Sequence, residues 1–318
     1  MYILVLLYGQ DLRVNENPWF MPPVDYFVWL FYLLGMQQTL TNAESIPSRI
    51  FHIEAAGCRF RVKSIEPAGM EPAKEKPTLV FLHEGLGCIE LWRDFPQAVC
   101  ESTGCDGLIY DRKGYGGSDT YGGPWPTDYL TIESQTYLPA LLEACNIKDA
   151  VLIGHSDGGT IALLAASFCS ERIRGLVTEA AHIFVEDITL EGIRRAVQAF
   201  ETTDLKDRLA RYHHENTDTI FRRWANRWLS LEFYDWNIEE YLPEITCPLL
   251  VLQGEDDEYG TNAQAERIAG QVSGPVEVIL IPACGHVPHF QAQETVLSEM
   301  TSFIKSLISM SPYGSSPI

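Results

Sequence analysis

Two hydrophobic rhythms alternate along most of this chain. A continuous apolar run at residues 78–82 reads as a strand buried on both faces, and residues 150–154, 173–179, 248–252 and 276–281 read as further strands. Residues 106–111 form a further strand, and residues 58–66 alternate as an exposed edge strand does. Between these runs lie stripes of helical period: Leu138, Leu141, Leu142 and Cys145; Ile161, Leu164, Ala165 and Phe168; and Val296, Leu297, Met300, Phe303, Ile304 and Leu307. Strands alternating with helices at this spacing predict a mostly parallel sheet with helices on both faces.

The rhythm breaks at residues 182–243, where the pattern is helical throughout. Ile193, Ala196, Val197 and Phe200 form one stripe, Ile220, Trp224 and Trp228 another, and Trp236 follows. The segment reads as a helical lid inserted into an α/β core made of residues 50–181 and 244–308. Residues 1–49 differ in character. Their uncharged aromatic-rich run at 26–36 is shorter than the roughly 20 apolar residues of a membrane helix. Three readings of this stretch stand: an extension that packs on the core or is poorly ordered, a start-site artefact with initiation at Met36, and a membrane or secretion element. The lack of a basic leader opposes the last. Residues 309–318 read as a mobile Ser/Pro/Gly tail.

Composition narrows the partners. A chain of 318 residues with 46% hydrophobic content can bury one large core plus an insertion. The formal charge of −20, without any cluster of Lys and Arg, excludes nucleic acid. A small-molecule substrate is expected, with no stable membrane association; a homo-oligomer is left open. The eight cysteines are scattered without a C-x-x-C pair, which fits the cytoplasm better than a disulfide framework. His213 with His214, and His286 with His289, lack a third ligand at a usual spacing, so no metal is expected, nor any other cofactor.

The chemistry centres on Gly154-His155-Ser156-Asp157-Gly158, a G-x-S-x-G pattern between a strand and a helix. A serine hydroxyl is a weak nucleophile until a base takes its proton, and the base works best when a carboxylate fixes its tautomer. Downstream, one strand ends in Gly254-Glu255-Asp256-Asp257-Glu258 and the next in Gly285-His286-Val287-Pro288-His289. His286 is the base candidate, ahead of His289. Asp257 is the acid candidate, with Asp256 as alternative and Glu179 as an outside one. An oxyanion needs preorganised N–H donors, for which the backbone of Asp157 and of Leu86, in the turn 83–88, are the candidates. The Asp157 carboxylate is expected to cap the helix or bond outward, with substrate selection as the alternative. His155 reads as packed or hydrogen-bonded, and Asp111-Arg112 as tying a turn. Trp92, Trp224 and Trp228 are candidates for an apolar substrate pocket, against the plainer reading that they pack lid on core.

From about Ile50 to Leu307 the chain resembles the α/β-hydrolase superfamily with a helical cap. The resemblance rests on His83-Glu84-Gly85-Leu86-Gly87, the 111–118 glycine turn, the 154–159 serine turn, the 254–257 turn and Gly285-His286. It implies an α/β-hydrolase fold with an eight-stranded sheet, a Ser156–Asp257–His286 triad and a cap over the pocket. A serine at the turn argues against dehalogenases and epoxide hydrolases, which use an aspartate there. Glu84 between His83 and Gly85, and Asp157 after the serine, depart from the usual pattern. The expected activity is hydrolysis of a small to medium carboxylic ester, or a related acyl compound such as a lactone, through an acyl-enzyme on Ser156. The alternatives are C–C bond hydrolysis of a dienoic ring-cleavage product and, from another class, a ligand-binding receptor on the same fold.

Overall fold

The computed structural model describes residues 48–67, 76–123 and 125–309; the expectations for residues 1–47 and 310–318 lie outside them. In chain order the principal elements are β1 (Ser48–Ala55), β2 (Cys58–Ile65), β3 (Thr78–Leu82), α1 (Phe95–Thr103), β4 (Gly107–Tyr110), α2 (Leu138–Ala144), β5 (Ala150–His155), α3 (Asp157–Phe168) and β6 (Ile173–Glu179). There follow α4 (Asp187–Thr202), α5 (Leu205–His213), α6 (Thr217–Trp228), β7 (Leu249–Gly254), α7 (Asn262–Gln271), β8 (Val276–Ile281) and α8 (Gln293–Ser309). Among the described residues one eight-stranded sheet forms, in the order β1-β2-β4-β3-β5-β6-β7-β8. β2 runs antiparallel to both its neighbours, β1 and β4, and the remaining neighbours run parallel, so the sheet is mixed.

The strands in the middle of the sheet are covered on both faces, whereas β8, at its far edge, is mostly part-exposed. β4, β5 and β7 are buried at every position. One face packs Phe81, Ile153 and Val177 against Trp92 and Phe95, and against Met300 and Ile304 of α8. The other face carries α3, in which every residue from Asp157 to Ala166 is buried. A one-sided stripe was the expectation for this helix. It is instead apolar all round because outer elements cover it as well, and only Phe168 at its end is exposed.

Three further expectations need correction. Residues 58–65 are not at the sheet edge: β2 lies between β1 and β4, with Phe60 and Val62 fully buried. The edge on that side is β1, whose mostly exposed side chains give no apolar run to read, and which starts at Ser48, inside the stretch assigned to the extension. The 182–243 segment is helical only through α4, α5 and α6. Residues 229–236 are mostly turns, Phe184 and Asn237 form a single bridge, and a short 3-10 turn, Glu239–Glu244, leads to β7. No helix among the described residues is long and apolar enough to cross a membrane.

Parallel strands put the loops after β3, β5, β6, β7 and β8 at one edge of the sheet, which is where such folds build sites. The loops meet because glycines permit it. A Cβ on Gly154 would overlap the carbonyl of Gly158, and a Cβ on Gly158 would overlap the carbonyl of Leu82. Both obstacles are backbone and cannot swing aside. Gly158→Ala is expected to lower the thermal midpoint by at least about 5 °C, as an overpacked core substitution of 1–3 kcal/mol does. Gly270→Ala, in α7 with open space around it, is expected to raise it by about 1–3 °C, since Ala is the better helix former. Melting curves of both variants check the pair, and an unchanged midpoint for Gly158→Ala contradicts the close crossing of β3 and α3.

Candidate active site

The end of β5 turns into α3 through Ser156 alone, whose backbone takes φ 53° and ψ −118°. An L residue rarely adopts this conformation. The Ser156 N–H donates to the Glu179 carbonyl at 2.8 Å, which fixes the turn against β6. Two strands along, Gly254 lets the loop after β7 lie against the carbonyls of Cys284 and Gly285, where any side chain would collide. That contact brings together the three candidates. Nε2 of His286 is 3.0 Å from Oγ of Ser156, and its Nδ1 is 2.9 and 3.0 Å from the two carboxylate oxygens of Asp257.

Asp257 is 5% exposed, yet its carboxylate is well satisfied. It accepts from Nε2 of Gln253 at 2.8 Å and from the N–H groups of Tyr259 at 2.8 Å and Gly260 at 3.3 Å. Burial alone would push its pKa up, but the His286 imidazole and these donors hold it below the usual carboxylate range. The adjoining Asp256 is exposed and does not reach His286. Glu179 is engaged by His289 instead, whose N–H and Nδ1 both approach Oε2, at 3.0 and 2.9 Å. An imidazole placed this way can take the serine proton on Nε2 while the carboxylate keeps its Nδ1 protonated.

The turn after β3 closes with Gly87 N–H donating to the Glu84 carbonyl at 3.1 Å. Its central N–H groups, on Gly85 and Leu86, meet no protein acceptor among the described residues. Gly85 therefore joins Leu86 as an oxyanion candidate; the sequence places a donor in this turn but does not say which of its N–H groups is free. Buried His83 braces this loop, receiving the Arg112 N–H at 3.0 Å on Nε2, with Nδ1 2.8 Å from the Glu84 carbonyl. Burial and the Arg112 charge hold its pKa well below the ordinary value, so the ring is neutral.

Glu84 turns its carboxylate toward His155, with Oε2 3.7 Å from Nδ1. Burial opposes its charge, but the His155 imidazole overcomes this and lowers the Glu84 pKa to about 2. His155 is the packed, hydrogen-bonded residue expected: its Nε2 lies 2.7 Å from the His286 carbonyl and steadies the loop that carries His286. Asp111 ties its turn as expected, accepting from the N–H groups of Ile89 and Gly117, both at 2.8 Å.

Asp157 corrects an expectation. Its carboxylate neither caps α3 nor faces outward; it is buried, accepting from the Tyr129 hydroxyl at 2.9 Å and from Arg112 at 3.4 Å. Nε1 of Trp228 donates in turn to the Tyr129 oxygen at 3.1 Å, which links α6 to the helix behind Ser156. Trp224 lies directly over Gly85, where a Cβ would strike its indole. Trp228 stacks edge-on with His182, itself 5.6 Å from His286 between ring centroids. Trp92 departs from this group. It is 2% exposed in the hydrophobic core, between Phe81 and His289, so it is a packing residue and not a pocket wall beside the other two.

Among the described residues, Cys88, Glu90 and Asp111 bring potential metal ligands within 4.8 Å of one another. The Arg61 guanidinium already bonds both carboxylates, so a cation's place there is taken.

Comparison with known proteins places the architecture. The profile described as the alpha/beta hydrolase family matches residues 79–298. A human protein, Serine hydrolase BPHL, is 29% identical over 193 residues, which cover 58% of this chain. The chain spans only 64% of the length of that protein and of its mouse counterpart. Proline iminopeptidase of Saccharolobus solfataricus is 24% identical across 88% of this chain and 98% of its own length. Among solved structures, a serine hydrolase involved in carbazole degradation (CarC enzyme) shares the fold with a TM-score of 0.63 at 19% identity, covering 82% of this chain and 100% of its own. With the sheet order, the serine turn and the family profile in agreement, this chain belongs to the alpha/beta hydrolase family.

Proposed function

We propose that the chain is a serine hydrolase that cleaves a small to medium carboxylic ester, or a related acyl compound, through an acyl-enzyme on Ser156. The observation that carries the reading is the unbroken hydrogen-bond chain from Ser156 Oγ through His286 to Asp257. In this mechanism His286 takes the hydroxyl proton as Ser156 attacks the carbonyl, and Asp257 stabilises the imidazolium. The N–H of Asp157 and one from the Gly85–Leu86 pair receive the oxyanion. His286 then returns the proton to the leaving alcohol and activates the water that releases the acid.

Residues 182–243 are assigned as a cap over the site, because α6 carries Trp224 onto Gly85 and Trp228 onto His182. These two tryptophans favour an apolar or aromatic acyl or alcohol group. An ester is preferred over a dienoic acid undergoing C–C cleavage on electrostatic grounds. An acid substrate needs a free cation, whereas Arg112 is bonded to the Glu84 carbonyl and Asp157. Glu84, Asp157, Asp257 and Glu179 already occupy Arg112 and the imidazoles of His155, His286 and His289 around the site, leaving no spare charged partner there among the described residues for a substrate carboxylate. The eight free cysteines, five of them buried, support a cytoplasmic location.

Two measurements test the proposal. Across p-nitrophenyl esters of rising chain length, run beside a dienoic ketone acid, ester hydrolysis is expected and the ketone is expected to stay intact; the reverse preference rejects the ester reading. Among variants, Ser156→Ala is expected to abolish turnover. Asp257→Asn should lower kcat by about 10⁴-fold, as loss of the orienting acid does elsewhere, with Asp256→Asn within about threefold of wild type. Equal losses at 256 and 257 would contradict the assigned acid.

A further inference from the structure

Several buried polar atoms have no hydrogen-bond partner among the described residues, and one of them, Nδ1 of His182, belongs to a ring that borders the reacting groups. The His182 ring centroid is 5.6 Å from that of His286 and 5.4 Å from that of Trp228. By contrast, Nε1 of Trp92, another such atom, sits in the core. His182 is 3% exposed, and its backbone is pinned on both sides. The Thr160 hydroxyl donates to its carbonyl at 2.6 Å, and the next N–H, of Ile183, donates to Gln264 at 2.8 Å.

The tautomer follows from the other nitrogen. Nε2 is 3.1 Å from the Tyr259 carbonyl, which only accepts, so Nε2 carries the proton. Burial and the nearby His286 hold the His182 pKa below its ordinary value, and the ring is neutral at pH 7. Nδ1 is then a lone pair without a donor. A buried acceptor left unmade is costly, and one persisting beside a catalytic histidine marks a place where a ligand supplies the missing bond.

We infer that Nδ1 of His182 accepts a hydrogen bond from a neutral O–H or N–H of the substrate close to the scissile carbonyl, which makes His182 a specificity residue. The inference rests on the serine-hydrolase reading above. A neutral donor is favoured over an ammonium because His286 becomes an imidazolium during acyl transfer, and a second cation beside it opposes that charge. With Trp228 against the same ring, the substrate class is an ester bearing a hydroxyl or amide N–H at the second or third carbon, with an apolar or aromatic remainder.

The test uses the full chain and ethyl esters of 3-phenylpropionic acid, followed by acid release. The set comprises the parent, its 2- and 3-hydroxy derivatives, their methyl ethers, and the 2-acetamido and 2-amino derivatives. At least one hydroxy or acetamido ester is expected to exceed the parent in kcat/KM by about tenfold, chiefly through KM, the worth of one buried hydrogen bond. Its methyl ether should lose that advantage, and the amino ester should not exceed the parent at pH 7. In His182→Phe the preference should collapse to within about twofold, even if all rates fall through loss of the Tyr259 contact. A purely structural role lowers every ester equally and keeps the ratio; that result overturns the inference. So does wild-type turnover with no preference, or with the amino ester preferred, and neither of these needs the variant to fold. Absence of turnover across all the esters counts against the serine-hydrolase reading itself, and this inference falls with it.

Discussion

Ser156 is held in a backbone conformation, φ 53° and ψ −118°, that an L side chain adopts only under constraint. Such a residue costs about 1–3 kcal/mol, and it persists because its surroundings determine it several times over. β5 arrives buried on both faces, β6 receives the Ser156 N–H, and α3 leaves across the carbonyl of Leu82, which only glycine at 158 can approach so closely, while Gly154 makes room for the Gly158 carbonyl. The buried Asp157 carboxylate anchors the first turn of α3 to Tyr129 and Arg112. The result is a hydroxyl displayed at the sheet edge with a helix N-terminus behind it, where a developing negative charge is favoured.

Around this point the protein pairs buried imidazoles with buried carboxylates three times: His286 with Asp257, His289 with Glu179, and His155 with Glu84. The rings lie close, His155 being 5.2 Å from His286 and 5.1 Å from His289 between centroids. Similar chemistry in each pair does not mean similar work. Only His286 has its second nitrogen within reach of the serine hydroxyl. His155 spends its second nitrogen on the His286 carbonyl, and the Glu179–His289 pair ties β6 to the loop beyond His286. Matching each buried acid with its own partner avoids an uncompensated charge, which would cost far more than a paired one gains.

Much of this was legible in the sequence because parallel strands end at one edge. Ser156, Asp257 and His286 each follow a strand-like run, so their convergence could be read without knowing strand order. Asp257 could be preferred over Asp256 only from its spacing to Gly254; the structure supplies the reason, in the donors from Gln253, Tyr259 and Gly260. What was not legible depends on order across the sheet or on distant pairings. β1 is mostly exposed and leaves no apolar signature, so β2 was taken for the edge. Asp157 finds partners 28 and 45 residues away, which no local pattern records. Trp92, near in sequence to the turn after β3, packs beneath it in the core, because a 3-10 turn, Ile89–Trp92, swings the side chain inward.

The central claim is that this chain of contacts makes Ser156 a nucleophile. The most direct measurement is intact mass and peptide mapping after treatment with an alkyl fluorophosphonate. One adduct per chain is predicted, confined to the peptide that contains Ser156 and abolished by denaturing the protein beforehand. Folded, hydrolytically active protein that takes up no adduct, or takes it up on another residue, would contradict the account.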